Sequence, residues 1–126
     1  MRGVIAAAVI TLAIICGSIM YTNSMVKISE ELLEINDAVG EKIAADDYDG
    51  AAVEIERLGE YIRNKRVFLS ATGNHLRLDD IEMNVTELAG YNQEHEKSSA
   101  IAHQNQLSVQ IEHLPRDYMV TLENIL

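Results

Sequence analysis

Gly3-Val4-Ile5-Ala6-Ala7-Ala8-Val9-Ile10-Thr11-Leu12-Ala13-Ile14-Ile15-Cys16-Gly17-Ser18-Ile19-Met20 decides how the rest of this chain is read. The stretch holds no charge, and only Thr11 and Ser18 interrupt its apolar character. As a helix rising about 1.5 Å per residue it reaches ~27 Å, close to the ~30 Å of hydrocarbon in a bilayer. Arg2 precedes it, and every one of the twenty acids lies beyond residue 29. Residues 3–20 therefore predict a membrane-spanning helix in contact with lipid. The charge bias puts the N-terminus in the cytoplasm and the acidic remainder outside it.

An uncleaved anchor fits better than a removable signal. A cleavable signal ends in small residues at alternating positions, and Met20-Tyr21-Thr22-Asn23-Ser24 offers only a poor match. Cys16 follows Ile15 rather than the small residue that lipoprotein processing needs, and Val4 to Ala8 lack the glutamate of a pilin helix. The sequence thus divides into an anchor, 1–23, and an outer domain, 24–126. Of the ten Lys and Arg residues only Arg2 lies before the run, so twenty acids face nine bases beyond it, a net charge of about −11. Such a surface repels phosphates and excludes nucleic acid as a partner. With one cysteine, no disulfide can form within the chain, so packing alone holds the outer domain.

Four amphipathic stripes follow the anchor. Ile28, Leu32, Ile35, Val39 and Ile43 step by four, three, four and four, the spacing of one helix face. Asn23-Ser24 either caps this helix or sits in one continuous with the membrane span; the spacing allows both. Asp46-Asp47 supplies a cap for a second helix carrying Tyr48, Ala51 or Ala52, Ile55, Leu58, Ile62 and Leu69, with Phe68 beside them. Its later half holds the bases Arg63, Lys65 and Arg66, which offset the helix dipole. Ser70 to Asn74 breaks the pattern. A third stripe, Leu78, Ile81, Val85, Leu88 and Tyr91, opens with Asp79, Asp80 and Glu82 and fades into the polar turn Gln93 to Lys97. Ser98 or Ser99 caps the fourth, whose apolar positions are Ala100, Ile101, Leu107, Ile111 and Leu114. Pro115 ends that helix or bends it, because it lacks an amide donor and crowds the preceding turn. A short apolar tail then packs back on the bundle. One stripe cannot bury itself, but four joined by short turns can. The fold expected is all-α: an N-terminal transmembrane helix, then an antiparallel four-helix bundle of two helical hairpins.

Motifs for chemistry are weak. Asp47-Tyr48-Asp49-Gly50 with Glu56 matches part of a calcium-binding EF-hand loop, yet its first ligand position is Ala45. The four histidines, His75, His95, His103 and His113, have no glutamate three residues before them and no two share a helix face. The only thiol lies in the apolar run, no serine sits in a Gly-x-Ser-x-Gly elbow, and no glycine-rich phosphate loop exists. Asn84-Val85-Thr86 is a formal glycosylation sequon placed mid-helix. No enzyme activity, cofactor or metal site is expected.

Three further stretches carry a family likeness. His75-Leu76-Arg77-Leu78-Asp79-Asp80-Ile81-Glu82, Ile111-Glu112-His113-Leu114-Pro115 and Thr121-Leu122-Glu123-Asn124-Ile125-Leu126 resemble domain-of-unknown-function family 4363, with Asp47-Tyr48 at a turn where its members often carry an acid and Trp. That resemblance spans essentially the whole chain. It implies a small bacterial protein with an N-terminal membrane helix and an all-helical remainder, and it brings no activity with it. Leu76 and Arg77 stand where acids belong in the family pattern. Should the family have a functional face, its polar members here are His75, Asp79, His113 and Asn124; the competing account has them satisfying backbone groups where helices meet the terminal segment. The function expected is a structural or protein-interaction role in the cell envelope, with an unidentified envelope protein as partner. The alternative is a bundle that senses a small molecule or metal and acts through a separate signalling partner.

Overall fold

The computed structural model consists of α1 (Arg2–Ala44), α2 (Tyr48–Ser70), α3 (His75–Gln93) and α4 (Lys97–Ile125). It describes the backbone of residues 1–71 and 75–125, and within them every side chain except those of 75, 76 and 116–125. No strand occurs among the described residues.

α1 runs unbroken through the junction between apolar run and bundle. The hydroxyls there do not cap a new helix. Thr22 Oγ1 donates to the Ser18 carbonyl and Ser24 Oγ to the Met20 carbonyl, both at 2.9 Å, so each bonds one turn back into its own helix. With its 43 residues, α1 is about 64 Å long. Its first half holds one segment long and apolar enough to cross a membrane, none of it buried inside the chain. Its second half buries Met25, Ile28, Leu32, Ile35, Val39 and Ile43.

Each helix packs on its neighbours in sequence, and α4 closes the ring against α1. The cross-links fix an antiparallel order. Tyr21 and Glu31 of α1 meet Phe68 and Tyr61 of α2, while Arg66 and Tyr48 of α2 meet Glu82 and Asn92 of α3. Asn84 and Glu87 of α3 meet Gln110 and His103 of α4, and Ser29 and Asn36 of α1 meet Ile111 and Gln104 of α4. This is the expected bundle of two hairpins, with most apolar positions of the four stripes inside it; at the second stripe Ala51 is buried and Ala52 exposed. Leu58, Leu88, Leu107 and Ile111 are completely covered, and Ile101, Phe68 and the two stripe tyrosines are half-buried.

Both far turns stop a helix in the same way. After α1, Asp46 N–H reaches the Ile43 carbonyl (3.0 Å) and Asp47 N–H the Lys42 carbonyl (2.8 Å); after α3, His95 N–H reaches Asn92 (3.1 Å) and Glu96 N–H reaches Tyr91 (2.9 Å). These are Schellman closures, which need one left-handed residue. Asp46 and His95 take that role at φ 58° and 56°, a conformation more usual for glycine. Asp47 then caps α2 as expected, its Oδ1 accepting the Gly50 N–H at 2.9 Å. Helical backbone from Tyr48 onward also means that Asp49, Gly50 and Glu56 do not form an EF-hand loop.

One expectation needs correcting, and the alternative open at Pro115 is narrowed. α4 begins at Lys97, so Ser98 and Ser99 lie inside its first turn and do not cap it; the Glu96 carbonyl already accepts the Ala100 N–H at 2.9 Å. The left-handed His95 completes the reversal two residues earlier than the serine pattern suggested. Pro115 does not end α4, which continues to Ile125. The carbonyl deprived by the missing proline N–H is that of Ile111, and Ser29 Oγ on α1 donates to it at 3.0 Å in the buried seam. The tail's packing and the Ser70–Asn74 break involve residues outside those described.

Candidate functional site

Polar groups in the interior mainly join helices. Asn36, fully buried on α1, donates through Nδ2 to the Gln104 carbonyl (2.9 Å) and to Ser108 Oγ (2.8 Å), and Gln104 Nε2 returns a bond to the Asn36 carbonyl at 3.1 Å. Gly40 makes room for this exchange: a Cβ there would stand 2.9 Å from Gln104 Cδ. Asn84, also buried, donates to Gln110 Oε1 at 3.1 Å, so the sequon asparagine is engaged between α3 and α4 with no room for a glycan.

At the far end of the bundle, away from the apolar run, the two turns are stitched together. The Tyr48 and His95 rings stack with centroids 4.2 Å apart, and Lys97 Nζ lies 3.0 Å from Asp46 Oδ1. Asn92 Nδ2 donates to the Tyr48 carbonyl at 2.9 Å, while its buried Oδ1 has no hydrogen-bond partner. Beside it a cleft of about 390 Å³ runs between α2 and α3, floored by Ala52, Ile55 and Ala89 and edged by Asp49, Glu56, Asn92 and the stacked rings.

The near end adjoins the apolar run. Tyr21, one residue beyond Met20, stacks on Phe68 at 4.6 Å and donates to its carbonyl at 3.2 Å. The last turn of α2 is thereby held level with the end of the run. Between α1 and α2 lies a cleft of about 680 Å³, whose lining includes Lys27, Glu31, Tyr61, Asn64, Lys65, Val67 and Phe68. Tyr61 closes it on the bundle side by donating its hydroxyl to Glu31. Burial, then the hydrogen bond to that carboxylate and its charge, push the Tyr61 phenol above its ordinary range, so it stays a donor. Lys65 Nζ sits 5.8 Å from the Tyr61 ring centre, and Lys27 makes no ion pair within the described residues.

A family model described as Domain of unknown function (DUF4363) matches residues 19–125, nearly the whole chain. The chain belongs to this family. No curated protein and no solved structure matches it. The DUF4363 region begins at Ile19, so it takes in the last apolar residues, the junction at Tyr21 and the bundle.

Of the polar face that the resemblance suggested, two side chains in this DUF4363 protein are described. Asp79 is exposed on α3 with its Oδ1 3.7 Å from Arg66 Nη2, and Arg66 Nη1 also contacts Glu82 at 2.7 Å. Arg66 therefore ties α2 to α3, and none of Arg63, Lys65 and Arg66 lies in the last turn of α2, where the dipole is felt. His113 is half-buried on α4 between Ile111 and Leu114. The side chains of His75 and Asn124 lie outside the described residues. Among the remaining histidines, His103 Nε2 is 2.8 Å from Glu87 Oε2 and His95 stacks on Tyr48, both joining helices. The sequence reading passed over the two clefts. Helical spacing marks neither Lys27 nor Lys65 as part of a site; Tyr21, an aromatic just past the apolar run, is the available signal for the near end.

Proposed function

We propose that this protein is a non-enzymatic, single-pass membrane component of the cell envelope. Its acidic bundle lies outside the membrane, its N-terminus is cytoplasmic, and it works by contacting another envelope protein. The unbroken α1 carries this reading: the same helix supplies the fully exposed apolar run and one wall of the core. An uncovered apolar surface of that size needs lipid around it, and a continuous helix with no joint at residues 20–25 holds the bundle at a set height. The buried polar groups of α1 and α4 engage each other, which suits a scaffold. Support for the orientation comes from Arg2 before the run and the acids beyond it.

Single cysteines in a Cys16→Ser background test this. In intact cells, an impermeant maleimide is expected to label Val53→Cys, which is 65 % exposed on α2, and to leave a cysteine inserted between Met1 and Arg2 unlabelled until lysis. Labelling in the reverse pattern overturns the orientation. In-cell cross-linking of the full-length protein is expected to capture one envelope protein reproducibly, and recovery of the protein alone overturns the interaction role.

The far cleft favours a second reading, a small-ligand sensor acting through that partner. The carboxylates of Asp49 and Glu56 and the stacked rings suit a protonated amine with an apolar body. In a thermal-shift screen of amines and divalent metals, an amine is expected to raise the melting temperature of the detergent-solubilised protein but not that of Glu56→Gln. A flat response across the screen overturns it.

A further inference from the structure

The geometry points to the near cleft as a binding site for an anionic phospholipid, with the headgroup phosphate on Lys27 and Lys65 and the lipid body against Val67 and Phe68. This inference rests on α1 spanning the membrane.

The order of groups down the cleft carries it. The antiparallel pairing of Glu31 with Tyr61 and of Tyr21 with Phe68 sets the levels of α1 against α2. Passing toward the apolar run, the cleft presents first the Tyr61–Glu31 hydrogen bond, then Asn64, Lys27 and Lys65, and last Val67 and Phe68, on whose ring Tyr21 stacks. Its one carboxylate is thus at the end far from the run and engaged by a phenol, whereas the two ammonium groups stand between it and the apolar end. Counted along α1, Tyr21 lies about 1.5 Å and Lys27 about 10 Å beyond Met20. The polar headgroup layer is roughly 5–8 Å deep on each side, so the long lysine stem reaches back into it from Lys27. Tyr21 stands where tyrosine and tryptophan side chains mark a membrane interface.

Val67 adds an independent sign. It is 86 % exposed, beside the half-buried Phe68, on the α2 turn held level with the end of the run. In water an apolar residue so placed gains nothing, and against the upper part of a lipid it is covered. A protein with so strong a negative charge would be repelled by an anionic leaflet. Lysines at the height of the phosphates convert that repulsion into local attraction, each worth several-fold in lipid occupancy.

The test uses full-length protein in nanodiscs of equal phosphatidylcholine and phosphatidylglycerol, with retained lipids counted by native mass spectrometry. The expected result is retention of phosphatidylglycerol over phosphatidylcholine by on the order of tenfold, falling to the bulk ratio in Lys27→Gln/Lys65→Gln. Equal retention by the wild type, or undiminished preference in the double variant, overturns the proposal. So does displacement of the lipid by soluble glycerol phosphate, which would make this a free-anion site. Flotation with vesicles of phosphatidylcholine alone separates the two levels: protein that floats without preferring phosphatidylglycerol refutes only the lipid site, and protein that does not float refutes the spanning reading with it. An unchanged circular-dichroism melt of the double variant shows that its fold is intact.

Discussion

Ile10→Lys/Ile14→Lys is expected to shift the protein from the carbonate-resistant membrane fraction to the soluble and aggregated fractions, with the bundle still helical. The argument is a sign reversal. The run Gly3 to Met20 contains eight Val, Ile and Leu residues. At roughly −0.3 to −0.6 kcal/mol each, they favour insertion by about 2–5 kcal/mol. One lysine near the helix centre costs about 2.5–3.5 kcal/mol, so two cost about 5–7 and overturn the balance. Ile10 and Ile14 are four residues apart on one face near the middle of the run, too deep for both ammonium groups to reach water easily. Neither touches the core, for none of the membrane-length segment is buried within the chain. Thermal unfolding of the solubilised variant should therefore match wild type. A variant still resistant to carbonate extraction would contradict the spanning reading, and one with a lowered melting temperature would show that the run packs on the bundle.

The apolar steps of the four stripes were readable because a helix face repeats every 3.6 residues whatever it packs against. Leu32, Leu58, Leu88 and Leu107 sit where that spacing put them. Polar residues at the same spacing were not readable in this way. Ser29 and Asn36 lie on the buried face of α1, one heptad apart, yet hydropathy counts them as surface. Their burial depends on acceptors that α4 supplies 82 and 68 residues later in the chain. Asp46 and His95 were opaque for a similar reason. Left-handed helix ends are usually marked by glycine, and here the closing hydrogen bonds override side-chain preference. The clefts belong to neither helix alone. Lys27 and Lys65 are separated by most of a hairpin, and the pairing of Tyr21 with Phe68 and of Glu31 with Tyr61 brings their turns to a common level.

Ser29→Ala is expected to cost the bundle about 1–3 kcal/mol, far more than a serine-to-alanine change on a helix surface, because it strands a buried carbonyl. In an uninterrupted helix the Ile111 carbonyl would accept the N–H of residue 115. Proline has none, and Ile111 is fully buried, so water cannot substitute. The Ser29 hydroxyl, 3.0 Å away on α1, is the donor that lets α4 continue past Pro115. It follows that the penalty depends on the proline. Pro115→Ala restores a backbone donor, and in that background Ser29→Ala should cost only the ~1 kcal/mol of an ordinary hydrogen bond or less. Urea unfolding of the four proteins in the same detergent, followed by circular dichroism, measures the coupling as a double-mutant cycle. A coupling of about 1 kcal/mol or more is the expected outcome. Equal costs in both backgrounds would mean that Ser29 stabilises the seam by packing alone, and that α4 tolerates Pro115 without help from α1.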